Sequence, residues 1–119
     1  HALSHPVGAL YDTHHGLTNA VILPYVLAFN RPAVSDRFQH LSNALELGEP
    51  AFERVMSWIL ELRSGLGIPN SLAEIGVDDR HTEEIACAAA EDPSASGNPL
   101  PVGPRDLESV LQNALGGQL

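Results

Sequence analysis

Residues 1–30 read HALSHPVGALYDTHHGLTNAVILPYVLAFN, and the second half of this stretch decides the fold. From Leu17 to Phe29 nearly every side chain is apolar. A helix that is apolar on all sides is stable only when other elements surround it. The segment therefore predicts a buried central helix. A kink is expected at Pro24, because proline cannot donate a hydrogen bond to the carbonyl of Ala20.

Helical periodicity continues along the rest of the chain, with apolar residues three and four positions apart. The segments with this pattern are 38–45, 52–66, 78–92 and 107–115. Asp78 or Asp79 is a suitable N-cap for the third of them, and Pro104 suits the first turn of the last. No segment shows the sustained alternation of a strand. The sequence predicts an all-α protein, a bundle of about five to seven helices.

Composition excludes several classes of partner. The chain has 119 residues and a formal net charge of -9, and its six basic residues are scattered arginines. This acidity argues against nucleic acid or an anionic membrane as the main partner, since both would repel it. The apolar run VILPYVLAF is far shorter than the ~20 residues a membrane-spanning helix needs.

Two single residues carry further expectations. Cys87 is the only cysteine, so no internal disulfide can form and a cytoplasmic location is expected. In its alanine-rich segment, Cys87 is predicted to be a small buried thiol. Trp58 lies beside an apolar helical stripe and is also predicted to be buried.

Four of the six histidines lie within the first fifteen residues. His1 and His5 are four apart, so on a helix they would share a face and could hold a divalent metal. His15 precedes Gly16 and the start of a new helix, where the backbone can approach a bound group. Asp12 lies nearby but is equally compatible with a turn. Because a tight site needs three or four ligands, the residues alone indicate an incomplete metal site, with proton handling or a plain surface role as alternatives.

The segment DPSASGNPLPVGP (92–104) is rich in proline, glycine and serine and predicts a loop. A loop of this length in a compact chain is often functional. Asn98 is expected to shape the loop through an Asx-type hydrogen bond and not to touch a substrate.

The first thirty residues resemble the second signature of the iron-containing (group III) alcohol dehydrogenases. That signature is approximately H-x-x-x-H-P-x-G, then H-G, then N-A-x-x-L-P-x-V-x-x-x-N. The matching positions are His1, His5, Pro6, Gly8, His15, Gly16, Asn19, Ala20, Leu23, Pro24, Val26 and Asn30. The segments GLGIPNSLAEIGV (65–77) and DPSASGNPLP (92–101) are similar to two further stretches of the family. The likeness covers essentially all 119 residues.

Two positions depart from the family pattern. His14 stands where the family usually has proline, and Ser94 stands where some relatives have cysteine near the cofactor. Neither departure removes a residue that the family requires.

The resemblance implies that residues 1–119 are the C-terminal part of a helical metal-binding domain. An N-terminal α/β domain that binds NAD or NADP would be absent from this chain. In such enzymes the metal, Fe²⁺ or in some cases Zn²⁺, is held by one aspartate and three histidines. The last two of these histidines map onto His1 and His15. His5 maps onto the histidine beside substrate and nicotinamide, a catalytic residue implicated in proton handling, and Ser94 maps close to the nicotinamide.

The implied activity is hydride transfer between an alcohol or aldehyde and the nicotinamide. The expected partners are the missing N-terminal part, a small alcohol or aldehyde and further copies in a homo-oligomer, and the chain alone is expected to be inactive. The HPVGA and GNP segments favour the alcohol dehydrogenase branch over maleylacetate reductases and glycerol dehydrogenases. The alternatives are a non-catalytic helical interaction domain with an acidic surface, or a relative similar to the maleylacetate reductases or glycerol dehydrogenases.

Overall fold

The structure, a computed structural model, describes residues 1–119 and confirms the predicted all-α class. Five α-helices follow one another along the chain, with two short 3₁₀ turns between them and no strand. The helices are α1 Ser4–Tyr11, α2 His15–Ala44, α3 Ala51–Gly65, α4 Thr82–Glu91 and α5 Pro104–Gly116. The 3₁₀ turns are Ala73–Ile75 and Pro93–Gly97.

Helix α2 is longer than its sequence suggests. It runs for 30 residues through Pro24 and Pro32, so the segments 17–29 and 38–45 belong to one helix. Each proline removes one backbone hydrogen bond. The second half is nevertheless held in place, because Val34 and Phe38 are buried against helix α3. Tertiary packing thus outweighs the local cost of Pro32.

The core has two parts, both built on α2. The larger part joins α1, α2, α4 and α5 through buried residues that include Val7, Val21, Ile85 and Leu111. The smaller part joins the second half of α2 to α3. The central helix is not covered on every side, however, since Leu23 is 44% exposed.

The predicted ends of α5 are confirmed, whereas the predicted start of α4 is wrong. Pro104 opens α5, and Gly117 caps its end in the left-handed conformation with φ of 68°. Helix α4 begins at Thr82 and not after Asp78 or Asp79. Asp78 instead accepts hydrogen bonds from the Tyr11 hydroxyl and from Arg80 Nε, both at 2.7 Å.

Two expectations about burial are also wrong. Trp58 is 39% exposed, because α3 packs mainly against α2 and turns its other side outward. Cys87 is exposed as well, on the outer face of α4. Short side chains in an alanine-rich helix give little indication of which face is covered. None of the five helices combines the length and the hydropathy needed to cross a bilayer.

Tyr11 and Asp78 should make stability depend on pH at both extremes. The hydrogen bond from Tyr11 lowers the pKa of Asp78 below its ordinary 3.8. The same bond, aided by burial, raises the pKa of Tyr11 above 10.0. The lowered carboxyl pKa contributes stability above about pH 4, which is lost as the pH falls. The raised phenol pKa contributes stability below about pH 10, which is lost as the pH rises.

Tyr11→Phe keeps the ring and removes only the hydroxyl. We expect the variant to be less stable than the wild type by a constant margin between about pH 5 and 9. Below about pH 4 and above about pH 10 the two proteins should converge in urea unfolding. A margin that stays the same across the whole pH range would contradict this assignment.

Candidate active site

The three predicted site histidines meet where α1 and α2 begin. His1 precedes α1, His5 lies in its first turn, and His15 is the first residue of α2. One ring nitrogen of each lies within 4.8 Å of a ring nitrogen of the other two. All three residues are exposed, so a group bound here would be reached from the surface of this chain.

Local backbone geometry brings the ends of these helices together. The N–H of His5 donates to the carbonyl of His1 at 3.1 Å, which places both side chains on one face of the first turn. Asp12 then ends α1 in the left-handed conformation, with φ of 53°. The chain reverses there, and buried Val7 and Val21 pack α1 against α2. His15 therefore returns to lie beside His1.

His1 and His15 are spaced as two ligands of one ion would be. Nδ1 of His1 lies 3.2 Å from Nε2 of His15. Two nitrogens on a tetrahedral zinc with bonds of ~2.0–2.1 Å are separated by about 3.3 Å. Neutral imidazoles suit Fe²⁺ and Zn²⁺ alike. The donor set and its spacing therefore fit a divalent metal, although two imidazoles make only half of a tight site.

Asn19 holds this pair from α2. Its Nδ2 lies 3.0 Å from Nε2 of His15 and 3.4 Å from Nδ1 of His1. Its Oδ1 accepts a hydrogen bond from the hydroxyl of buried Ser4 at 2.5 Å. A single side-chain amide on α2 thus contacts Ser4 of α1 and the same two ring nitrogens that a metal would use.

His5 has a different partner. Its Nδ1 lies 2.7 Å from Oδ2 of Asp92, which is 87 positions away in sequence. The other oxygen of Asp92 accepts a hydrogen bond from the N–H of Ser94 at 2.8 Å. The His5 contact, followed by the Ser94 N–H, lowers the pKa of Asp92 from 3.8 to about 2. Asp92 is therefore ionised throughout the physiological pH range.

The loop that carries Asp92 and Ser94 is anchored to α2. Asn98 and the buried Asn30 exchange side-chain hydrogen bonds of 2.7 and 2.8 Å. Asn98 also donates from Nδ2 to the carbonyl of Leu100 at 2.7 Å, so it shapes the loop as expected, but as a donor to a carbonyl and not as the acceptor of an Asx turn. This anchoring places the start of the loop next to the histidines.

A cavity of about 240 Å³ opens beside His1, and its walls are mainly apolar. Residues from α2, the 92–104 loop and α5 line it, among them Ile22, Phe29, Ser94 and Val110. His1 and Ser94, which are 93 positions apart, thus share one cavity. His5 instead lies with Asp92 and Glu84 along a neighbouring open groove.

The predicted site residues therefore lie in two adjoining groups. His1 and His15 form one group, and His5 belongs to the other through Asp92, which also binds the backbone of Ser94. The sequence analysis assigned no role to Asn19 or Asp92. Asn19 lies four residues after His15 and could have been suspected from helical spacing. No local pattern pointed to Asp92 as a partner of His5.

Comparison with known proteins places this arrangement in a family. The sequence profile of the Fe-containing alcohol dehydrogenase family, C-terminal domain, matches residues 1–115. The chain belongs to that family. The match begins at His1 and includes all three clustered histidines as well as the 92–104 loop.

Individual relatives support this membership. An NAD-dependent methanol dehydrogenase from Bacillus methanolicus is 35% identical, over 97% of this chain and 32% of the relative. A maleylacetate reductase from Sphingobium indicum is 32% identical, over 98% of this chain and 31% of the relative. The crystal structure of a 1,3-propanediol oxidoreductase superposes with a TM-score of 0.90 at 29% identity, covering 97% of this chain and 32% of that one.

The chain thus spans about a third of the length of the family members it matches. These relatives are oxidoreductases by name, which supports an oxidoreductase role at the level of the family. The helical architecture agrees with the corresponding part of the 1,3-propanediol oxidoreductase.

Proposed function

We propose that this chain is the metal-binding C-terminal domain of an NAD(P)-dependent alcohol dehydrogenase. His1 and His15 are two ligands of a divalent metal, Fe²⁺ or Zn²⁺. His5 is the catalytic residue that moves the proton and faces the nicotinamide, and Ser94 contributes to the nicotinamide site. The upstream part of the enzyme supplies the remaining metal ligands and the nucleotide-binding domain. The enzyme works in the cytoplasm as a homo-oligomer.

One observation carries this proposal: His1 and His15 direct ring nitrogens at each other across 3.2 Å, while His5 does not join that contact. A shared cation needs one lone pair from each ring, and these two nitrogens offer both when each neutral imidazole carries its hydrogen on the other nitrogen. The pairing of His1 with His15 also argues against the simpler pair of His1 with His5, which spacing alone suggested.

The metal pair, His5 and the apolar cavity would have different roles in the reaction. Bound metal supplies Lewis acidity toward an alcohol oxygen, and bound nicotinamide supplies the hydride acceptor. His5 is next to the metal pair, with ring centroids of His5 and His15 5.2 Å apart. A neutral imidazole there can take up a proton at its free ring nitrogen and later release it to solvent. The mainly apolar cavity beside His1 and Ser94 is large enough for a small alcohol or aldehyde, and His5 lies in the adjoining groove.

Metal content measured on two samples tests the proposal. We expect the 119-residue chain to bind Fe²⁺ or Zn²⁺ weakly and to show no dehydrogenase activity, because it offers two of four ligands. A polypeptide extended upstream should retain about one metal ion per chain after gel filtration and should oxidise small alcohols with NAD or NADP.

Three other results are informative. Tight metal in the 119-residue chain would mean that His1, His5 and His15 form a complete site, and the ligand assignment would be wrong. Metal in neither sample would favour a non-catalytic helical domain. Reduction of maleylacetate but not of aldehydes by the extended protein would place the enzyme with relatives such as the one from Sphingobium indicum.

A further inference from the structure

His5 and Asp92 form a carboxylate–histidine pair that neither the sequence nor the family match assigns a role. Nδ1 of His5 lies 2.7 Å from Oδ2 of Asp92, and the two residues belong to different structural elements. His5 is fixed on α1, whereas Asp92 is fixed at the end of α4, where it begins the Pro93–Gly97 turn. A contact across 87 residues between two anchored elements constrains the ring far more than a mobile surface pair would.

The surroundings of the pair single out Asp92 as the partner. Glu84 lines the same groove, but its Oε2 lies 3.0 Å from Nδ1 of His81. The other titratable groups that face His5 are His1 and His15, with ring centroids 6.2 and 5.2 Å away. Only Asp92 is within hydrogen-bonding distance of His5. The side chain of Asp92 is 14% exposed and that of His5 is 48% exposed, so the pair is partly screened from water on its carboxylate side.

We propose that Asp92 is a positioning residue that fixes the tautomer and ring orientation of His5. This inference rests on the proposed catalytic role of His5. An ionised carboxylate can only accept, so Nδ1 of His5 must carry a hydrogen and donate it. Nε2 of the neutral ring then keeps its lone pair and is the nitrogen available to the reacting hydroxyl.

In the proton transfer that follows, the O–H bond of the substrate alcohol breaks and its electron pair stays on the oxygen. An N–H bond forms at Nε2, which converts His5 to an imidazolium. Asp92 stays ionised and stabilises that cation without accepting the proton, as buried carboxylates do beside other catalytic histidines. The imidazolium then releases the proton from Nε2 to solvent. The lowered pKa of Asp92 is consistent with a carboxylate that stays ionised during the transfer.

Asp92→Asn is the discriminating variant. Asparagine is as good an N-cap as aspartate, so the contact with the Ser94 N–H and the turn should survive. With the amide oxygen accepting from the Ser94 N–H, however, the NH₂ group faces Nδ1 of His5 and can only donate, so the variant favours the opposite tautomer, with hydrogen on Nε2. Ser96→Ala is the matched control, because it removes a 2.9 Å hydrogen bond to Pro93 in the same turn without touching His5.

Two readouts test the inference. In the full-length enzyme, Asp92→Asn should lower kcat by about 10- to 100-fold, with KM within about twofold, as expected for loss of an orienting partner. Asp92→Glu should recover part of kcat, and Ser96→Ala should keep it. In the ¹⁵N-histidine NMR spectrum of the 119-residue chain above pH 8, wild-type His5 should show a single tautomer with hydrogen on Nδ1. Asp92→Asn should shift the ring toward the tautomer with hydrogen on Nε2.

Each contrary outcome has one meaning. A wild-type His5 with hydrogen on Nε2, or an Asp92→Asn variant with unchanged tautomer and unchanged kcat, overturns the role of Asp92. His5→Asn separates this inference from the proposed function. If His5→Asn lowers kcat and Asp92→Asn does not, only the role of Asp92 fails. If His5→Asn leaves kcat unchanged, the catalytic role of His5 fails and the inference fails with it.

Discussion

His15→Ala in the full-length enzyme is expected to abolish stoichiometric metal binding and to lower kcat/KM by more than about 100-fold. Loss of an outer-shell partner already costs about 10- to 100-fold, and loss of a ligand should cost more. His15 is the only histidine whose nitrogen lies within 3.2 Å of that of His1, so no neighbour can replace it without moving a helix end. Elemental analysis and initial rates on the purified variant measure both effects.

His40→Ala is the matched control for this result. His40 lies on the same helix α2, is exposed, and takes no part in the histidine cluster. Its replacement should leave metal content and rate unchanged, since alanine is the better helix former. A His15→Ala enzyme that keeps its metal and its rate would refute the ligand assignment. A loss shared equally by His40→Ala would point instead to a general effect on α2.

The fold could be predicted to the extent that it is locally encoded. The apolar spacing of 52–66 and 107–115 indicated α3 and α5 directly, and Pro104 and Gly117 mark the limits of α5. The continuity of α2 through Pro32 could not be read in this way, because it depends on Val34 and Phe38 packing against α3. The exposure of Trp58 likewise depends on which face of α3 packs against α2.

The candidate site, too, could be predicted from the sequence only where it is encoded locally. His1, His5 and His15 lie within one short stretch, so helical spacing and the family motif were sufficient to single them out. Their pairing is a matter of ring orientation, which depends on Ser4 and Asn19 acting across two helices. The contact of His5 with Asp92 closes a loop of 87 residues, and no local periodicity can reveal a partner at that distance.

Leu111→Ala should have the largest effect on stability, lowering the free energy of unfolding by about 2–5 kcal/mol. Leu111 is fully buried on α5 and belongs to the core that joins α1, α2, α4 and α5. Removing its side chain loses transfer free energy and leaves a void that rigid neighbours fill only in part. Urea unfolding of the 119-residue chain, followed by far-UV circular dichroism, measures the change.

The site gives this substitution a second consequence. Helix α4 makes its most extensive contacts with α5, and Asp92 follows directly after α4. Weaker packing of α5 should therefore weaken the hydrogen bond between Asp92 and His5 before the protein unfolds globally. Leu66→Ala is the control, because Leu66 is 66% exposed at the end of α3, and its loss should change stability by no more than about 0.5 kcal/mol. Equal destabilisation by the two substitutions would mean that the contacts of α5 do not form the core on which the site is built.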